Sequence, residues 1–360
     1  MSITFGSSSA PSQVSLNLDT LFGTSLAAYK KTLVDNIGAT NAFFFEIMKK
    51  DLYESQEGAF VQIPLMYALA PADSYDGYDE LSTLPTDGIT DAIFQWRQCA
   101  SPIAYSEKER KQNKNKIIDL VQARIKQAEM GLQEYFSQSL LWGAAADGGS
   151  LISPRTSAVN GSLSIDPLPE MIMFDPTQNL SIGNVNQSTN TWWRNKTLTS
   201  AATGYDAFLL EFDHIFNSAG LGTGGKPTLV LVDQTSYELF VHALYQKYRQ
   251  IKSDDNFPFE NTLFKGAHVC MDDKVPDVYS GTASAATYGS AFFINSQFFK
   301  LIYEAESDFE MLKDENGKTF QKPTNGDSRV AHVAWMGNTT VSNRRKQAVM
   351  GKIARTLTTP

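Results

Sequence analysis

Between Asp51 and Trp96 the chain carries nine acidic residues and no lysine or arginine, and positions 108 to 126 then hold seven basic residues. Two strand patterns coincide with the acidic stretch. Ala59-Phe60-Val61-Gln62-Ile63-Pro64-Leu65 reads as one strand, and Ile89 to Tyr105 contains a second long extended run. Between them Ala70 to Glu80 is rich in turn formers, and Pro64 suits an edge strand better than a central one. Strands of about 8 residues, rising about 3.3 Å per residue, make a hairpin about 26 Å long. A two-stranded hairpin alone is barely stable in water, so this one needs another surface to lie on.

A helix follows directly. Ser106-Glu107-Lys108-Glu109 spells a capping box, in which the serine hydroxyl takes the third amide and Glu109 reaches back. Ile118, Val121, Ile125, Ala128, Leu132, Tyr135 and Ser139 recur at spacings of three and four, predicting one helix as far as Trp142, with Gly143 ending it. At about 1.5 Å per residue such an element approaches 50 Å.

Composition narrows the function classes. A net charge of −8 argues against a protein whose main task is gripping nucleic-acid backbones, which needs neutralising cations. Two cysteines, Cys99 and Cys270, cannot build a disulfide framework or a multi-cysteine metal site. The four histidines, at 214, 242, 268 and 332, offer no ligand pair, so no metal site is expected. Met1 to Leu18 has no charged side chain and hence no basic start of a secretory signal. The longest dense apolar patch, Ala42 to Phe45, falls far short of the roughly 20 residues a bilayer requires. The expectation is a soluble chain made in a reducing cytoplasm, with no membrane partner.

The serine-rich opening cannot bury enough surface to order itself, and reads as a frayed terminus or as an arm that orders against a neighbour. Amphipathic patterns at 21–36 and 40–50 predict two short helices. Residues 144–200 are loop-rich. An α/β pattern then begins: a helix over 203–219 with Phe208, Leu209, Phe212, Ile215 and Phe216 on one face, and a buried strand at 228–232. Thr235-Ser236-Tyr237-Glu238 reads as a second capping box, opening a helix with Leu239, Phe240, Ala243, Leu244 and Tyr248 inward. Strands are predicted near 267–271, 291–295, 298–303 and 329–341, before a basic C-terminal stretch.

Motifs that could carry chemistry fall away. Gly220-Leu221-Gly222-Thr223-Gly224-Gly225-Lys226 nearly spells a phosphate-binding loop, but it follows a helix, precedes a strand and has Pro227 where a hydroxyl is needed; it reads as a connecting loop. The acids at 73, 76, 79 and 80 lack the alternate spacing and terminal glutamate of a calcium loop. No carboxylate pair stands out for glycoside hydrolysis, and no Gly-x-Ser-x-Gly is present. Trp192-Trp193 reads as packing. The sequence offers no catalytic residue and implies no cofactor.

The order of parts carries a resemblance: Tyr105-Ser106-Glu107-Lys108-Glu109 leading into 117–143, then Trp192-Trp193-Arg194-Asn195, and Pro227-Thr228-Leu229-Val230-Leu231-Val232 before its helix. This architecture resembles the major capsid proteins of tailed bacteriophages with the Hong Kong 97-type fold. The resemblance implies an α+β chain with an N-terminal arm and short helices at 1–50 and an extended hairpin loop at 51–105. It further implies a peripheral domain with the long spine helix at 106–200, an α/β axial domain at 201–310, and a peripheral return strand and C-terminus at 311–360. It implies a self-assembling, non-enzymatic shell protein that forms hexamers and pentamers around double-stranded DNA. Assembly would take place in the host cytoplasm, and the protein would reside in the virion. Scaffold, portal and decoration proteins are partners the resemblance allows, and packaged DNA would be touched only non-specifically. Because the chain opens directly on the arm, a separate scaffold protein or none is expected. An encapsulin-like nanocompartment shell shares the fold. A polysaccharide-active enzyme or adhesin is the alternative of a different class.

The hairpin should project away from its own helix. Asp73, Asp76, Asp79, Glu80, Asp87 and Asp91 are therefore expected over a neighbouring subunit, facing Arg110, Lys111, Lys114 and Lys116; the plainer reading is an acidic loop kept soluble by its charge. Arg344, Arg345 and Lys346, with Lys352 and Arg355, are read as a solvated or intersubunit face, or as interior bases that touch DNA.

Overall fold

The structure, a computed structural model, describes residues 42–48, 52–70, 72, 74–78, 87–112, 120–143, 164–247, 262–281, 287–305, 307–313, 319–323 and 326–357. The arm and the helix expected at 21–36 lie outside the described residues. The chain divides into two compact units: Thr40–Ala100, Leu132–Glu310 and Ala334–Pro360 form one, and Met1–Ala39, Ser101–Gly131 and Met311–Val333 the other.

The larger unit contains a six-stranded mixed sheet, ordered β7 (Lys196–Thr199), β15 (Ala348–Ile353), β11 (Gly289–Ile294), β8 (Leu229–Val232), β10 (Ala267–Met271), β9 (Thr262–Phe264). β8 is buried at all four positions, as an uninterrupted Leu-Val-Leu-Val run in a covered sheet must be. The helices Tyr205–Gly220 and Gln234–Lys247 share one core cluster with Val230, Val232, Ala291, Phe293 and Met350. Phe208, Phe212, Ile215, Phe216 and Ala219 are buried at helical spacing, and the Phe212 ring lies 4.8 Å from Phe240 and 4.9 Å from Phe293. β15 is a strand that the sequence pattern does not predict, since the return strand is expected at 329–341 and only a basic stretch after it. It pairs with β11 and β7, so this sheet draws β7 and β15 from outside residues 201–310.

The second capping box is corrected as well. Asp233 caps this helix, its Oδ2 accepting the Ser236 amide at 3.4 Å and its carbonyl the Tyr237 amide at 2.9 Å. The carboxylate arrives directly from β8, and Arg355 Nη1 at 2.9 Å together with the Ser290 amide at 3.0 Å holds it in place.

A second sheet runs β1 (Tyr53–Ser55), β12 (Phe299–Tyr303), β14 (Ser328–Val341), β13 (Glu310–Met311), with β4 (Arg97–Ser106) also pairing β14. β4, β14 and the long helix each run through both units. In the larger unit the helix packs by Phe136 edge-on to Trp335, ring centres 4.7 Å apart. The helix is described as Leu120–Trp142, about 35 Å by its rise, and Gly143 ends it with φ 55°. The first capping box is formed: Ser106 Oγ accepts the Glu109 amide at 3.1 Å and Glu109 Oε2 the Ser106 amide at 3.0 Å. It opens a helix described over Glu107–Gln112. Positions 113–119, which the sequence reading runs through as one helix, lie outside the described residues.

The hairpin is formed by β2 (Val61–Met66) and β3 (Ile89–Phe94), six residues each. The register pairs Val61 with Phe94 and Met66 with Ile89. The extended run predicted over 89–105 breaks at Gln95-Trp96, where Trp96 Nε1 donates to Gly58 O at 2.8 Å and the Gln95 carbonyl accepts from Asn338 Nδ2 at 2.8 Å.

Candidate assembly surface

Strand alternation gives the hairpin two unlike faces. Val61, Leu65, Ala92 and Phe94 are buried, whereas Gln62, Pro64, Met66 and Ile89 point the other way and are exposed. Met66 and Ile89, register partners, are each 72% exposed, and Leu69 is 79% exposed. Of the twelve large hydrophobic residues exposed among the described residues, seven fall between Phe60 and Ile89. Globular chains seldom gather this much exposed apolar surface on one element unless something covers it. Sequence reasoning weighed this segment by its charge and missed its apolar outer face, although Met66, Leu69 and Ile89 flank the turn in plain sight.

Of the predicted acids, Asp76 and Asp87 are exposed, and Asp91 is half-buried on the same outer face, accepting Gln62 Nε2 at 2.7 Å. Asp73, Asp79 and Glu80, with Lys114 and Lys116, lie outside the described residues. The acids belong to the larger unit and Arg110 and Lys111 to the smaller. Arg110 is already engaged within its own unit. Its Nε donates to Glu107 Oε2 at 2.9 Å, and Arg329 Nε donates to the other oxygen of that carboxylate at 2.9 Å. Arg110 first and Arg329 second hold the Glu107 carboxyl below its ordinary range. Glu109 likewise meets Arg124 at 3.6 Å. Lys108 and Lys111 are exposed, with no ion pair among the described residues. The capping-box acids thus compensate the arginines, leaving the lysines as the cations open to a partner.

The C-terminal bases need correction. Arg344 is fully buried, its guanidinium donating to Met171 O at 2.9 Å, Gln187 Oε1 at 2.9 Å, Trp193 O at 3.0 Å and Asn195 Oδ1 at 3.1 Å. Burial pushes it down to about 9, which leaves it charged at neutral pH. Lys346 is buried too, its Nζ donating to Leu221 O at 2.8 Å and Gly222 O at 3.2 Å, where it closes the glycine-rich connecting loop. Neither can reach DNA; Arg345 is exposed.

Trp193 is buried, and its Nε1 donates to Ile182 O at 3.0 Å. Trp192 stacks on Tyr67 with ring centres 5.5 Å apart. Both tryptophans therefore pack, as their sequence context predicts. Cys99 and Cys270 are buried and form no disulfide. Among the described residues no group of three or more histidine, cysteine, aspartate or glutamate side chains could hold a metal, and no helix is long and apolar enough to cross a membrane.

No family model matches the chain, and no curated protein matches it in sequence. Solved structures do. A chain of the cyanophage A-1(L) capsid asymmetric unit aligns with TM-score 0.66 at 11% identity over 91% of this chain and 97% of that one. A chain of the SrpI encapsulin complex from Synechococcus elongatus PCC 7942 aligns with TM-score 0.58 at 10% identity, covering 97% of both chains. The capsid of a native GTA particle gives 0.56 at 10% identity, over 96% of this chain and 100% of that one. The chain has the α+β Hong Kong 97-type capsid fold, as its sequence resemblance implies.

Proposed function

We propose that this chain is the major capsid protein of a tailed bacteriophage, assembling into hexamers and pentamers of an icosahedral shell around double-stranded DNA. The observation that carries the reading is the shared fold over nearly the full length of shell-forming chains. The hairpin end supports it: an apolar outer face rimmed by Asp76, Asp87 and Asp91 suits a copy-to-copy contact, with apolar burial supplying affinity and charge supplying register. In this reading the acids of the hairpin, Asp73, Asp79 and Glu80 included, lie over a neighbouring copy near Lys111, Lys114 and Lys116, and the shell is a structural component of the virion without catalytic turnover.

An encapsulin-like compartment is the second reading, favoured by the 97% mutual coverage with the SrpI chain. Purified protein imaged by electron microscopy should show closed shells. A stable monomer at micromolar concentration sinks both readings. Shells from the native source that hold double-stranded DNA support the first, and shells that hold a protein cargo support the second.

A further inference from the structure

A ribbon of two six-residue strands should not keep a fixed direction in water. This one does not stand alone, and the surface beneath it belongs to its own chain. β5 (Ser181–Ile182) and β6 (Val185–Asn186) form a small antiparallel ribbon. The Gly183 carbonyl in its turn accepts the Ile93 amide at 3.1 Å, so β3 gains a bond along its outer edge. Gly183 has φ 59°, and a Cβ there would lie 2.9 Å from Ala92 Cβ and 3.0 Å from the Phe94 ring; only glycine lets the two backbones approach this closely. Further along the hairpin, Tyr67 stacks on Trp192, which gives a second point of attachment. Two separated contacts fix a direction where one would leave a pivot.

The seat is itself anchored. Trp193 donates to Ile182 O, Arg194 donates to Gln187 O at 2.8 Å and Ser188 O at 2.6 Å, and Asn186 Nδ2 to Asn179 Oδ1 at 2.6 Å. From below, Arg344 binds Gln187, Trp193 and Asn195 at once. A buried cation held by four acceptors is costly to disturb, because any lost partner leaves desolvated charge.

We infer that residues 181–193, anchored by Arg344, are a built-in mount that holds the hairpin in the direction in which it meets a second copy. Ordering of the hairpin therefore precedes assembly, and association does not have to supply it. The clause about a second copy rests on the proposed function; the mount does not.

Amide hydrogen exchange on the dissociated protein tests the mount directly. The Ile93 and Tyr67 amides should be protected in the wild type. Trp192→Ala and Gly183→Val should each speed exchange at Ile93 by about tenfold or more while β8 stays protected. Arg344→Met should do the same; should it fail to fold, the other two variants still decide. Unprotected hairpin amides in the wild type, or variants that leave Ile93 unchanged, overturn the mount. The partner is tested separately with Met66→Ser combined with Ile89→Ser on the outer face. Exchange should stay at wild-type rates while shells are lost. Normal shells from that variant overturn the copy-to-copy contact, and the exchange rates alone then judge the mount.

Discussion

Asp272 joins the segment after the arm to the α/β lobe, and its titration can be weighed from its surroundings. Its Oδ2 accepts the Phe43 amide at 3.2 Å and its Oδ1 the Lys274 amide at 2.9 Å. Burial, the largest influence, raises its carboxyl from an ordinary 3.8 to about 6; the two amides oppose the rise, and the charge of Asp273 adds to it. The folded state therefore takes up a proton more readily than the unfolded chain. At pH above about 6 the ionised carboxylate weighs against folding, and this penalty is relieved as pH falls toward 4. A rise of roughly 2 pH units corresponds to about 3 kcal/mol. Asp272→Asn removes the titration while keeping the shape. Whatever constant change the amide brings, the variant should gain about 2 to 2.5 kcal/mol relative to wild type between pH 4 and pH 7, because part of the penalty is already present at pH 4. Urea unfolding of both dissociated proteins at several pH values measures the difference. A difference that stays constant across that range, or that shrinks as pH rises, refutes the reasoning.

Cys99, whose thiol burial pushes up to about 12, should resist thiol reagents in the native protein at neutral pH, and Cys99→Ala with Cys270→Ala should still assemble; rapid native labelling or loss of shells contradicts this. Reversing Asp73, Asp76, Asp79 and Glu80 to lysine should stop capsomer closure while the circular-dichroism signal is kept. Each exposed pair is worth only ~0.2–1 kcal/mol, so their effect is cumulative, and normal shells from this variant show that the acids face water.

The lobe was legible because its signals are local. The Phe208–Ala219 spacing and the Leu-Val-Leu-Val run need no partner to be recognised, and the Ser106–Glu109 cap is a four-residue motif whose geometry is self-contained. What the sequence hid depends on residues far apart. Thr235 resembles a cap as well as Asp233 does until Arg355 and Ser290 arrive from more than fifty positions away to fix the aspartate. The six-residue strand β15 is short and follows bases that read as surface, yet Arg344 and Lys346 point inward because carbonyls from 171–195 and 221–222 converge on them. The hairpin was legible as a hairpin. Its mount was not, since Gly183 and Trp192 carry no local mark of contact with Ala92 or Tyr67.

The relocation of the C-terminal bases changes what contact with DNA the proposed shell can make. Five cations lie between Arg344 and Arg355. Arg344 and Lys346 are spent on carbonyls inside the chain, Lys352 Nζ sits 5.1 Å from the Tyr279 ring centre, and Arg355 pairs with Asp233 at 2.9 Å. Arg345 alone of the five is exposed. A strip of five bases would release several counterions on binding, whereas a single arginine releases about one, since each neutralised phosphate contributes a slope of roughly 0.9 in log affinity against log salt. The chain's net charge of −8 weighs further against a strong pull on DNA. Binding of duplex DNA by the dissociated protein, followed by fluorescence anisotropy across a salt series, should give a slope near −1 that Arg345→Ala removes. Lys346→Ala should leave the slope unchanged and lower stability instead, because it strips the partner from two loop carbonyls. A slope of −4 or steeper would restore the strip and require this end of the chain to open when DNA binds.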